Sequence, residues 1–543
     1  MNWGLSYLQH TSAFIASTAS AMKETEGSPR GMNHWPSTKI LAYAVGHVLN
    51  DMCASSWFSY LLVFLNAVAG LSPVDSALVM FSGQIADGLA TPLVGVLSDK
   101  STGFPSIGFG RRKTWLTGGA VLVVVCFYGV FGTCVPQLFD ASPSRLTLVV
   151  YYCVSASLFN VGWAAVQVSH MAMVPELTTN DNVRCVLNST RYAFTILSNV
   201  LVFVVFLFLL HDVAPLEVPD AYKFTLLTTV SLVVGGICTA WFLLGTDEVV
   251  KKVTTPPSSV GRRRGSSPSA AEAMNRGPNA LSFEADLPIV PLDTTALTWS
   301  DWFHVGMFYE VGMVYMCTRL TVNVTQVYIP FLLTVTLHMT ATSIAIVPLL
   351  VYVSGVFSFL ATFLLRWMNE KMGREGTFAA GAALVSVSLG LTWLLTPETS
   401  GWIYLLSVLL GLGNSIVMVT SVCLEGDLVG DSCESGAFVY GAMSFTDKIS
   451  NGIAVLWIQN QREAIQVQFP SSTAEDGEFV RLAYCVVPAV SAILGAITLY
   501  YMKHGSKTLV ERTSSASESA LRVSPTTEKT ALKLQTDTVY GAA

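Results

Sequence analysis

Charge is what this chain of 543 residues lacks: Asp, Glu, Lys and Arg supply 12% of it, while apolar residues supply 52%. A soluble domain carries roughly 25% charged residues, so the deficit excludes an ordinary soluble protein of this size. No glycine-rich nucleotide loop, nucleophile–base motif or cluster of metal ligands occurs, and no ATP-binding domain is present to drive primary transport. Enzymatic chemistry, cofactors, metals and nucleic acid are therefore not expected. The ten cysteines have no regular spacing, and all but Cys134, at the edge of one, Cys185 and Cys433 fall within apolar runs. That pattern excludes a disulfide framework or zinc cluster and leaves small apolar packing residues. Residues 1–20 have neither a basic leading region nor a full-length apolar run, and read as a cytosolic tail rather than a signal peptide. The sequons at Asn188 and Asn323 fall on the cytosolic side and inside a span, where glycosylation is not expected.

What the chain has is long apolar runs, near 40–66, 74–98, 114–136, 146–174, 190–210, 224–245, 303–334, 341–366, 376–396, 401–424, 435–458 and 482–502. A bilayer-spanning helix needs about 20 such residues. The expected fold is an all-α membrane protein of twelve transmembrane helices in two six-helix bundles. The expected divisions are an N-terminal tail (1–38), a first bundle (39–245), a linker (246–298), a second bundle (299–503) and a C-terminal tail (504–543). The linker, with TTPPSSVGRRRGSSPSAAEAMNRG, is too polar to bury a core and reads as disordered, as does the C-terminal tail. With alternating helices, one side holds Lys100, Arg111, Arg112, Lys113, Arg184, Arg262, Arg263, Arg264 and Arg374, and the other only Arg145, Lys223, Arg462 and Arg481. The bias puts both termini in the cytosol.

Inside the apolar runs sit Asp51, Asp87, Arg319 and Lys448. A charge at the bilayer centre costs at least about 2.5–3.5 kcal/mol, so each should face a cavity, a partner or a substrate. They lie on polar stripes at helical spacing. The first helix carries His47, Asn50 and Asp51. The second carries Gln84, Asp87 and Thr91, and the fourth Asn160, Trp163, Gln167 and His170. The seventh carries Tyr315, Arg319, Asn323 and Gln326, and the eleventh Tyr440, Ser444, Asp447 and Asn451 beside Lys448.

Each polar group can instead be interhelical glue; Asp87 with Lys448 can be an inert ion pair, and His47 and His170 packing histidines. As a functional set, Asp51, Arg319, Trp163, Gln167, Tyr315, Asn323, Gln326 and Tyr440 would bind substrate. Asp87, Lys448, His47 and Gln84 would couple, because separating a buried carboxylate from its cation changes its proton affinity. Arg319 offers a planar fork to a carboxylate. An Arg opposite Asp51 or Asp87 suits a zwitterion without excluding a sugar. Asp447 falls close enough to the cytosolic end to be solvated.

Asp99-Lys100 followed by Gly110-Arg111-Arg112-Lys113, and Arg366 followed by Glu370-Lys371-Met372-Gly373-Arg374, occupy matching loops of the two groups of six. With the long central linker, these resemble the major facilitator superfamily, whose two halves rock around a central site. The resemblance spans about 38–503. It implies cytosolic gate contacts at Asp99, Arg111, Arg112, Arg184 and Asp427. GQIADGLATPLVGVLSD (83–99) is similar to the glycoside–pentoside–hexuronide cation symporter branch, which implies sugar and cation roles for Asp51, Asp87 and Lys448. The chain departs from that branch at Thr91 and Gln167, which weakens a sodium–sugar pattern. YAVGHVLNDMCASSWFSYLL (43–62), QVSHMAMVPELTTNDNVRCVLNSTRYAFT (167–195), YMCTRLTVNVTQVYIPFLL (315–333) and DLVGDSCESGAFVYGAMSFTDKISNGIAV (427–455) resemble carriers associated with cysteine import into lysosomes and melanosomes. That likeness implies cysteine or another small polar solute as cargo, a coupling proton or sodium, and a lysosomal or melanosomal membrane. No acidic dileucine or tyrosine sorting signal supports the address independently. A cation-coupled sugar or lysolipid symporter and a non-transporting membrane scaffold or sensor are the rival expectations.

Overall fold

A computed structural model describes residues 36–523 apart from 105–107, 133, 141, 179, 212–220, 249–299, 361, 430–432 and 471–472. All of the expected linker except 246–248, most of the expected N-terminal tail and half of the expected C-terminal tail lie outside the described residues. The chain is a multi-pass helical membrane protein. Its long helices are α1 (Ser37–Val68), α2 (Pro73–Lys100), α3 (Arg111–Phe131), α4 (Arg145–Leu177), α5 (Asp181–Leu209) and α6 (Ala221–Gly245), then α7 (Gly306–Phe331), α8 (Ser343–Leu360), α9 (Thr362–Trp393), α10 (Ile403–Val429), α11 (Cys433–Gln468) and α12 (Thr473–Val523).

Local chemistry sets several of their ends. Ser72 accepts the Asp75 N–H at 3.2 Å, with Pro73 at the first position of α2, and Ser144 accepts the Thr147 N–H at 3.1 Å to start α4. Both are side-chain N-caps that satisfy a donor otherwise left open. Several helices overrun the apolar runs that mark them, such as α5, which starts at Asp181, and α12, which continues to Val523. Backbone hydrogen bonding continues past the apolar stretch, which is the only part that hydropathy reports. The α9 segment breaks at Gly373, whose φ of 70° favours glycine.

Nine helices are long and apolar enough to cross a membrane among the described residues; α8 contributes only a shorter apolar stretch, Ser343–Ser354, and α7 and α11 are not in that group. Those two carry Arg319, Asn323 and Gln326, and Asp447, Lys448, Asn451 and Arg462. Such helices owe their low apolarity to facing a polar interior rather than lipid.

The two halves repeat each other in detail. α1 ends in a five-residue π turn at Phe64–Val68, and α7 runs into a five-residue π turn at Leu332–Thr336. Positive φ follows at the same offset, 71° at Gly70 and 50° at His338. In each half the same two wide hydrogen bonds close the turn, Ala69 N–H to Phe64 O and Leu71 N–H to Leu65 O, then Leu337 N–H to Leu332 O and Met339 N–H to Leu333 O. Helix crossings match as well. A Cβ added to Gly119 of α3 would stand 2.8 Å from Gly162 O of α4, and one added to Gly413 of α10 3.1 Å from Gly381 O of α9. The bundles meet along α2 with α11, α5 with α8, and α1 with α7.

Candidate substrate and coupling site

Consecutive helical residues project about 100° apart, so adjacent Asp447 and Lys448 of α11 serve different neighbours. Lys448 crosses to the other half, its ammonium 2.6 Å from the Asp87 carboxylate of α2. Thr91, one turn along α2, donates its hydroxyl to Asp87 at 3.2 Å. The Lys448 ammonium also lies 5.8 Å from the Trp163 ring centroid, within cation–π range. Gln84 is buried one turn before Asp87.

Asp447 turns towards α7. Arg319 donates Nε–H to it at 3.0 Å and Asn323 donates Nδ2–H at 3.1 Å. Expected to be solvated, Asp447 is instead 3% exposed; the correction follows from its face of α11, which packs against α7 rather than opening to water. Arg319 meets Asp447 through Nε and keeps 25% of its side chain accessible, so its terminal nitrogens can still meet a substrate carboxylate. Glu425 of α10, buried and within electrostatic reach of this guanidinium, was missed. Its place at the end of an apolar run, in LEGD, makes it look like a boundary residue.

On α1, Asp51 accepts from His47 Nδ1 at 2.8 Å and from the Thr195 hydroxyl of α5 at 2.8 Å. Thr195 opens onto a cavity of about 190 Å³ between α5, α7, α8 and α10. Its polar wall includes Thr195, Asn199, Gln326, Tyr352, Asn414 and Ser415, and its apolar wall includes Ile329, Val351 and Met418. No acidic or basic side chain lines it. Of the substrate residues expected from sequence, Gln326 alone is on this wall, and it also donates to Ser59 of the other half at 3.2 Å. None of Asp51, Asp87, Arg319 and Lys448 is on this wall; each is held by the bonds above, and Asp51 reaches the wall through Thr195. Tyr315 lies one turn before Arg319 and is half-buried, as is Gln167; Tyr440 is 45% exposed on α11, away from the cavity wall.

The expected gate residues pair within their own halves. Arg111 reaches Glu176 at 2.5 Å and Asp99 O at 3.0 Å, and Arg112 bonds Asp99, Ser98 and Glu176. Glu248 caps α3, accepting the Arg112 and Lys113 N–H groups at 2.7 and 3.0 Å. Beside it Lys39 holds Asp247 at 2.7 Å, and this hydrogen bond and charge lower the Asp247 carboxyl below its ordinary range. In the second half Arg374 pairs with Asp427, repeating the Arg111–Glu176 arrangement from the start of one helix to the end of the next. Glu176 and Arg374 were not among the expected gate residues. Arg184 donates Nε–H to Thr178 O at 2.9 Å, within the α4–α5 turn.

A model of the MFS/sugar transport protein family matches residues 42–268 and 298–504. Major facilitator superfamily domain-containing protein 12 of Mus musculus is 37% identical over 433 residues, which cover 77% of this chain and 84% of that protein. Sucrose transport protein SUT2 of Oryza sativa subsp. indica is 28% identical over 258 residues, 44% of this chain and 49% of that protein. The crystal structure of a D-xylose-proton symporter superposes with a TM-score of 0.56 at 16% identity, covering 84% of this chain and 96% of that one. At that identity the likeness concerns the fold.

Proposed function

The chain belongs to the major facilitator superfamily, and from that premise we propose a proton-coupled carrier that moves cysteine from the cytosol into a lysosome- or melanosome-like organelle by alternating access. Both termini face the cytosol in this scheme. The observation that carries it is the Lys448–Asp87 pair, a buried 2.6 Å bond that ties one rocking half to the other. Rocking must break or remake this bond, and the proton affinity of its carboxylate changes when it does. Arg319 would take the cysteine carboxylate in competition with Asp447, and Asp51 would attract the ammonium through the Thr195 side of the cavity. The uncharged cavity wall would receive the thiol-bearing side chain.

A cavity of about 190 Å³ is smaller than the roughly 300–1,000 Å³ of drug-sized sites, which favours a small solute over a lysolipid. Its neutral lining of Asn199, Gln326 and Asn414 favours a second reading, an uncharged sugar as cargo. Competition in liposomes holding the purified protein separates the two. Unlabelled cysteine should suppress labelled-cysteine uptake while sucrose and xylose do not; sugar competition without cysteine competition would transfer the proposal to sugars. A scaffold would give no saturable flux at all.

A further inference from the structure

Two histidines inside the first half have nitrogens that nothing satisfies. His47 Nδ1 lies 2.8 Å from Asp51 Oδ1, and His170 Nε2 lies 2.8 Å from the Tyr43 carbonyl oxygen. Both partners accept, so these two ring nitrogens carry the hydrogens. The opposite nitrogens, His47 Nε2 and His170 Nδ1, are then bare lone pairs when the rings are neutral. Both are buried with no hydrogen-bond partner, in residues 4% and 0% exposed. The rings stand 5.7 Å apart between centroids, tilted by 49°. Tyr43 stacks on His170 at 4.3 Å and donates its hydroxyl to the His170 carbonyl at 3.1 Å, fixing the ring from the other side. Gly46 admits this approach, since a Cβ there would stand 2.8 Å from His170 Cδ2.

We propose that His47 and His170 form a buried proton-binding pair, in which a single proton on His47 Nε2 is shared with His170 Nδ1, directly or through one water. Buried polar groups are rarely left unpartnered. One added proton removes both orphans, because His47 Nε2 becomes a donor and His170 Nδ1 its acceptor. The imidazolium then faces the Asp51 carboxylate, its counter-charge on α1. From α5, Arg191 acts on His170 and Tyr43 as the opposing cation, with its own Nε unpartnered; α6 contributes the uncharged Phe242 ring, 5.2 Å from His170. Asp51 also accepts the Thr195 hydroxyl on the cavity wall, so proton occupancy is communicated to the substrate side through one carboxylate. The pair deepens the proton coupling proposed above, yet its occupancy can be read without any transport.

Two substitutions delete the unpartnered nitrogens and keep the structural bonds. His47→Asn leaves an amide donor where Nδ1 meets Asp51, and His170→Gln leaves one where Nε2 meets Tyr43 O. The test is ¹⁵N NMR of histidine-labelled full-length protein in lipid nanodiscs, titrated with acid, together with the pH profile of cysteine uptake. Beside the signals of the six other histidines, wild type should develop an imidazolium signal from the pair that His47→Asn abolishes. His170→Gln should displace it by about 1–2 pH units, the worth of one hydrogen bond to a charged group. Both variants should keep the wild-type melting temperature and flatten the uptake profile. A His47-dependent imidazolium signal unchanged in His170→Gln, or no such signal in wild type before unfolding, overturns the pair even if cysteine is carried. If the signal behaves as expected and cysteine is not carried, the pair stands and the cargo is wrong.

Discussion

The ammonium of Lys448 and the carboxylate of Asp87 lie 2.6 Å apart although they belong to opposite halves of the molecule. Removing one partner strands a buried charge, which typically costs about 3–5 kcal/mol, whereas replacing both with apolar groups of similar size is close to neutral. Asp87→Leu and Lys448→Met should each lower the melting temperature sharply, and the double variant should recover most of the loss. Additive losses in the double variant would mean that the pair is not a coupled unit.

Arg319 is held by Asp447 through Nε while part of its side chain stays accessible. Lysine keeps the charge and loses the fork. Arg319→Lys should therefore weaken apparent cysteine affinity tenfold or more, about 1.4 kcal/mol, with folding intact. Saturation kinetics in liposomes checks this, and an unchanged half-saturation concentration would remove Arg319 from the substrate contacts.

Gly119 and Gly162 let α3 and α4 touch backbone to backbone. Gly119→Val must push the helices apart, at about 1–3 kcal/mol for overpacking. Gly118, where an added Cβ would meet open space, is the control: Gly118→Ala should melt like wild type.

The helical plan was legible because bilayer length and apolar composition dictate it, and the duplicated Gly-Arg loops at Gly110 and Gly373 disclosed two related halves. Asp87 with Lys448 was legible for the same reason: both are ionised groups stranded in apolar runs, and each needs a partner. Asp447 and Glu425 were not, since hydropathy places a residue along a helix but not around it, and a carboxylate near a run's end looks solvated. The cavity wall was hidden too. Asn199, Asn414 and Ser415 sit on α5 and α10 without an ionised neighbour in sequence, and only the approach of α5 to α8 brings such groups together.

At the surface, Lys39 lowers the Asp247 carboxyl. A depressed folded-state value adds stability above the unfolded value of about 3.9, and that stability fades as pH falls through the folded one. Both side chains are exposed, 45% for Lys39 and 80% for Asp247, so the contribution should stay below about 1 kcal/mol. Lys39→Ala should melt like wild type at pH 7 and at pH 3 alike; a large loss confined to pH 7 would show that the pair anchors the chain after α6.

Uptake of labelled cysteine into proteoliposomes, with and without an imposed pH gradient and with wild type beside Asp87→Asn, tests the proposed coupling most directly. Wild type should accumulate cysteine saturably and respond to the gradient, while Asp87→Asn should lose the response. Gradient-driven accumulation surviving intact in Asp87→Asn, or no saturable uptake by wild type, would contradict it.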